Sequence, residues 1–211
     1  SGPTVTSVTL PANAVYPQSA TLDFVVHFNE LVALIDAGNI NQAPRLVLDV
    51  GGVTKYATYL TGSGTTDVTF RYIVGAGEND TNGMSITPTI DLNSGTIQDS
   101  LHNNATLTFT PANLAGVQID TLAPTDPTNV NDAISYNSLT LSPNVSFTAS
   151  SDTSGVARYE YAIGTSSGGT QVKPWTNINL ATSFQATDLS LTNGTTYYAS
   201  VRAIDMAGNT S

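Results

Sequence analysis

An all-β chain, folded as two tandem antiparallel β-sandwiches, is predicted by three features: apolar residues at every second position, Gly, Asn and Ser turn pairs between those runs, and one proline-bearing joint. The joint covers residues 118–130, where Pro124 and Pro127 fix φ and hold the residues before them extended. Such a stretch cannot be helix and makes a poor central strand. Alternation runs up to it and resumes beyond it, so the chain reads as two domains, 1–122 and 123–211, held by a short, stiff connector.

Charged residues make up only 10% of the 211, against about a quarter in typical soluble proteins, while Thr, Ser, Asn and Gly abound. That mixture favours strands and turns over helices. A hydrophobic content of 40%, regularly alternating, argues against disorder. Six basic residues against sixteen acidic give a formal charge of -10, which repels nucleic acid and anionic membranes and leaves carboxylates available for cations. No nucleic-acid partner and no membrane insertion of this segment are expected. The absence of cysteine excludes disulfides, thiolate catalysis and cysteine zinc sites.

In the first domain, Leu22, Phe24, Val26 and Phe28 alternate with Asp23, His27 and Asn29, which puts one face of a strand over 21–29 into a core. A second run sets Val68, Phe70, Tyr72 and Val74 on one face and Asp67, Thr69 and Arg71 on the other. Shorter strands are expected at 5–10, 45–50, 53–60, 84–90, 105–109 and 116–120. Gly51-Gly52, Gly62-Ser63-Gly64, Asn82-Gly83 and Ser94-Gly95 supply turns between them. Residues 31–40 suit a turn of helix, kept short by Gly38 and Pro44.

This half resembles the immunoglobulin-like repeats of very large bacterial surface proteins. The resemblance is carried by Ser7-Val8-Thr9-Leu10-Pro11, Leu22-Asp23-Phe24, Phe28-Asn29-Glu30, Gly62-Ser63-Gly64-Thr65, Leu92-Asn93-Ser94-Gly95-Thr96-Ile97 and Ile119-Asp120-Thr121. It implies a spacer module with no catalytic residue. Residues 36–43 look longer than the usual loop of such repeats and read as a local decoration.

In the second domain, Leu191-Thr192-Asn193-Gly194-Thr195-Thr196-Tyr197 leads into Tyr197, Ala199, Val201 and Ala203 facing inward, with Tyr198, Ser200 and Arg202 outward. This resembles the sixth strand of a fibronectin type III sandwich, which implies that the Tyr197 hydroxyl bonds back to nearby backbone. Val145, Phe147 and Ala149 form one inward row and Tyr159, Tyr161 and Ile163 another. Phe147 stands where many members of that family carry Trp. Trp175, the single tryptophan, is expected at the core edge, with a sugar-stacking platform as the alternative. The resemblance calls for one more strand after residue 211, so the chain is read as part of something longer.

The candidate metal residues are Glu78, Asp80 and Asn82, whose alternating oxygens followed by Gly83 resemble the first half of an EF-hand loop for Ca²⁺. The bidentate Glu of such a loop is missing, because the twelfth position counted from Glu78 is Thr89. A solvated hairpin turn is the competing account. Asp120 joins them as a Ca²⁺ candidate beside the joint, across from Asp126, although two acids underfill a calcium shell. Asp99 with Asn103, and Asp205 with Asn209, share one spacing and are read as turns closed by their own side chains. His27 and His102 have no companion at metal-ligand spacing. Lys55 reads as a solvated strand residue rather than a covalent crosslink. No nucleophile elbow, phosphate loop or dinucleotide fingerprint occurs.

The expected function is therefore non-enzymatic: a spacer or stalk in a bacterial cell-surface or secreted adhesin, extracellular, whose partners are neighbouring domains of its own chain. Two alternatives stay open. One is a module that binds a host or prey surface glycan or protein; the other is the accessory region of a secreted polysaccharide-degrading enzyme, which fibronectin type III units accompany. No cofactor beyond Ca²⁺ is expected.

Overall fold

Strands follow from the period-two pattern wherever an apolar row finds a second row to face. The computed structural model describes residues 1–36, 38–110, 113–132 and 144–211. The chain divides into two units, Ser1–Thr121 and Leu122–Ser211. The first holds β1 (Val5–Thr9), β2 (Ala14–Tyr16), β3 (Thr21–Ile35), a 3-10 turn (Ile40–Gln42), β4 (Arg45–Val50), β5 (Val53–Thr61), β6 (Thr65–Ile73), β7 (Asn79–Asp80), β8 (Ser85–Asp91), β9 (Thr96–Gln98) and β10 (Val117–Asp120). The second holds β11 (Thr128–Asp132), β12 (Asn144–Thr148), β13 (Val156–Gly164), β14 (Lys173–Asn177), β15 (Ser183–Gln185) and β16 (Tyr198–Asp205). The all-β class is as the composition predicts.

In the first unit a large sheet runs β1-β3-β6-β5-β4-β8, with β9 added to β3, and a small sheet runs β2-β10-β7. Among these described strands pairing is antiparallel except between β10 and β2, and an isolated parallel bridge joins Thr4 to Thr106. Leu22, Phe24 and Val26 of β3 lie directly across from Tyr72, Phe70 and Val68 of β6, and all six are buried. Leu46 and Leu48 of β4 join them from the same sheet, while Val117 and Ile119 of β10 close the core from the small one. The β4–β5 hairpin turns through Gly51 and Gly52, both at positive φ (59° and 82°), which L side chains adopt at a cost. At Gly51 space also matters: a Cβ would sit 2.3 Å from the Asn79 carbonyl oxygen.

Two expectations in this unit are corrected. Residues 31–35 continue β3 instead of turning into helix. Leu34 pairs with Ile97 of β9, its N–H donates to Ser63 Oγ at 2.9 Å, and the Gly64 N–H donates to the Val32 carbonyl at 2.7 Å. A short apolar run fits either period, and these distant partners decide it. Residues 105–109 form no continuous strand. Their backbone switches neighbours: Ala105 donates to Ile97, Thr106 to Pro3 and Phe109 to Pro88, leaving only isolated bridges.

The second unit packs the sheet β11-β12-β15 against the sheet β14-β13-β16. Val145, Phe147 and Phe184 meet Tyr159, Tyr161, Ile163 and Ala203 in its core. The Phe147 ring meets Tyr159 edge-on at 4.9 Å, and Tyr161 stacks on Phe184 at 4.0 Å, so Phe147 fills its place without tryptophan. The Tyr197 hydroxyl accepts the Thr192 N–H at 2.7 Å, the corner bond expected of it. Ala149, expected inward, is exposed just past the end of β12. Between the units' strands, residues 121–127 carry no regular structure, and Thr125 donates its N–H to the Ser151 carbonyl at 3.0 Å.

Phe24 is fully buried, so Phe24→Ala removes a ring and leaves a cavity that neighbouring strands cannot close. The expected cost is about 3–5 kcal/mol, read from the urea midpoint at unchanged slope. A loss below about 1 kcal/mol would show that this row does not form the core.

Candidate functional site

Glu78, Asp80, Asn82 and Asp120, the candidate Ca²⁺ ligands, come from the connection between β6 and β8 and from β10. Glu78 is built into a cage. One carboxylate oxygen meets Lys55 Nζ at 2.6 Å, and the other accepts the Tyr72 hydroxyl and, at 2.9 Å, the Gly75 N–H. Burial opposes ionisation of Glu78, but the bonds from Lys55, Tyr72 and Gly75 override it and hold the carboxyl below its usual range. Burial, reinforced by that carboxylate, pushes the Tyr72 phenol up. Lys55, expected to be solvated, is thus the cation that Glu78 holds.

Asp80, only 3% exposed, turns elsewhere: its Oδ2 accepts the Gly51 N–H at 2.8 Å, and its Oδ1 is buried without a hydrogen-bond partner. Asn82 lies exposed in the turn before β8, and Asp120 is fully buried on β10, across from Asn79 of β7. Among the described residues, Glu78, Asp80 and Asp120 do not bring their carboxylates within 4.8 Å of one another as a group.

The two Asp-x-x-x-Asn stretches fold identically. Asp99 Oδ1 accepts the N–H groups of Leu101 and Asn103 at 2.8 and 2.9 Å, and its Oδ2 accepts Asn103 Nδ2 at 2.7 Å. Asp205 Oδ1 accepts Ala207 and Asn209 at 2.9 and 2.8 Å, and its Oδ2 accepts Asn209 Nδ2 at 2.8 Å. His102 and Gly208 take the same left-handed position, at φ 62° and 92°. These are the self-closed turns that the spacing predicts, and the bonds from Asn103 hold the Asp99 carboxyl below its usual range.

On the solvent face of the first unit's large sheet, charges pair across strands. Arg71 of β6 grips Asp23 of β3 with two bonds of 2.6 Å, and Arg45 of β4 meets Asp91 of β8 at 2.7 Å while lying 3.7 Å over the Tyr56 ring. On the same face His27 Nε2 meets Thr9 Oγ1 and its Nδ1 meets Asp67 Oδ1, each at 2.8 Å. Hydroxyl, imidazole and carboxylate stand in the order of a hydrolytic relay. Here, though, the Asp67 side chain is 57% exposed on an open sheet, where water competes for each bond. The three side chains tie β1, β3 and β6 together.

In the second unit the solvent face of β14-β13-β16 carries a parallel arrangement. Glu160 accepts from Arg158 at 2.9 Å and from Arg202 at 3.0 and 2.6 Å, and the Arg202 guanidinium lies 4.2 Å from the centre of the Trp175 ring. Burial opposes ionisation of Glu160, and the two arginines more than reverse it. Trp175 is half-buried on this face and forms no part of the buried core, which corrects the core-edge expectation. Its neighbour Thr176 pairs with Tyr161 and takes the inward place. The register that aligns Glu160 with Arg202 is a long-range property, so sequence reading missed both networks.

No family model matches the chain. Along 203 residues, 96% of its length, it is 32% identical to Chitinase A1 of Niallia circulans, of which it spans only 26%. Among solved structures it is similar to the fibronectin(III)-like modules of Clostridium thermocellum CbhA at 11% identity, covering 97% of this chain and 89% of that one with a TM-score of 0.38.

Glu78, Asp91 and Glu160 all ionise below their ordinary values of 4.5, 3.8 and 4.5, so each contributes stability that is complete above those values and lost as pH falls through the lower folded ones. The melting temperature should hold from about pH 7 to about pH 5 and fall below about pH 4.5. Glu78→Gln should cost about 1–3 kcal/mol at neutral pH, by urea unfolding, and flatten the acid limb. An unchanged limb would detach Glu78 from Lys55.

Proposed function

We propose that this chain is a pair of non-catalytic β-sandwich modules in a secreted protein that acts on polysaccharide, the second module being of fibronectin type III kind. The carrying observation is the 32% identity that runs along 96% of the chain to a quarter of a chitinase, a share that suits an accessory segment beside a catalytic one. The arrangement of the second unit agrees, with β11, β12 and β15 on one sheet, β13, β14 and β16 on the other, and the tyrosine corner at Tyr197. A structural role also suits the chemistry of the carboxylates. Glu78, Asp23, Asp91 and Glu160 are each neutralised by Lys or Arg, and Asp99 and Asp205 are turned onto their own loops. The spacer expected of an adhesin is the same mechanical role set beside different neighbours. Extracellular location follows from this reading.

The chain alone should release no reducing ends from colloidal chitin or from soluble chito-oligosaccharides. Fused to a chitin-hydrolysing catalytic domain, it should raise turnover of the insoluble polymer a few-fold and leave the soluble rate unchanged. Cleavage by the chain itself would overturn the non-catalytic reading, and equal rates with and without it would overturn the accessory one.

A further inference from the structure

We infer that the solvent face of β14-β13-β16 binds neutral polysaccharide, with Trp175 as the ring on which a pyranose stacks. This deepens the accessory reading and rests on it. Three observations carry it. First, Trp175 is half-buried on the outer side of its sheet, stacked with Arg202 rather than packed in the core, although a single large apolar ring gains most by burial. Second, the ring is held before any ligand arrives. Glu160, 9% exposed, pins Arg202 with two hydrogen bonds, and Arg202 in turn fixes the indole, so little rotamer entropy is left to lose on binding. Third, the face around it suits a flat, hydroxylated, uncharged partner. Ser200 is half-buried and Tyr198 stands 45% exposed two residues along β16, while Ala162, across from Ser200, is fully buried; Glu160 is shared by Arg158 and Arg202, which leaves one positive charge on this face. From strand spacing, Trp175 and Tyr198 lie roughly 12 Å apart at their Cα atoms, close to the reach of a disaccharide.

The first unit repeats the device with other residues. Asp91 pins Arg45, and Arg45 lies over Tyr56, which is 41% exposed on the solvent face of its sheet. Tyr56 is accordingly a second, weaker platform. A polyanion would meet a chain of net charge -10 and arginines already paired, so the occupant is neutral. One ring against one sugar leaves a small surplus after the costs of association, so the dissociation constant for a soluble hexasaccharide should be roughly 1 mM.

Because Trp175 is the only tryptophan, its emission reports the site directly in the intact chain. Chitohexaose or cellohexaose should shift or quench that emission saturably, and glucose at equal mass should not. Retention on insoluble chitin or cellulose should fall at least five-fold in Trp175→Ala, less in Trp175→Phe, and modestly in Tyr56→Ala, which leaves the emission response intact. Melting curves of each variant accompany the assay. Emission that is unmoved by both hexasaccharides, or that glucose moves as much, overturns the proposal even if a variant misfolds. Fusion-enzyme enhancement that survives Trp175→Ala would sink this inference while the accessory reading stands. Sugar binding without enhancement would do the reverse.

Discussion

Pairing of β3 with β6 sets both faces of the first unit at once. With Phe24 across from Phe70 and Val26 across from Val68, the inward row is apolar throughout; the same register puts Asp23 across from Arg71 and His27 across from Asp67 on the outside. A slip of one residue would exchange the rows, burying an ion pair and exposing two phenylalanines. The core and the outer ion pairs are therefore two consequences of one alignment. In the second unit the pairing of β13 with β16 does the same, seating Tyr161 across from Val201 inside and Glu160 across from Arg202 outside.

That economy explains how an acidic chain with few bases keeps its carboxylates from acting as a loose anionic surface. Six basic residues face sixteen acids, yet ion pairs engage Lys55 and the arginines at 45, 71, 158 and 202, each on a side chain held by strand register. Other acids are closed by backbone N–H groups, as Asp152 is by Ser154 and Gly155. Groups committed in this way stabilise turns and sheets, and surface pairs contribute modestly one by one. Among the groups they leave accessible on the strands are aromatic rings, with Tyr56 and Tyr198 exposed and Trp175 half-buried, beside aliphatic residues such as Val53, Leu60 and Ile73.

How far the sequence could be read depended on the range of the interaction involved. Leu22 to Phe28 and Val68 to Val74 were legible because alternation is a local signal, and the Asp99 and Asp205 loops because an Asp and an Asn four residues apart close on each other. The Gly51-Gly52 turn and the Tyr197 corner belong to the same short-range class. The helix expected over 31–40 failed because a brief apolar run carries no decisive period, and β9, more than sixty residues on, supplied the answer.

By itself, then, the sequence determined the all-β class, the faces of its principal strands and the self-closing turns, since each is written in spacings of two to five residues. Tertiary structure alone decided that Glu78 answers Lys55, that β2 runs parallel to β10, and that Trp175 stacks with Arg202 outside the core. These depend on which strand lies beside which and in what register. Many pairings are compatible with the same alternation, and only the one that packs both cores and pairs opposite charges on both outer faces survives.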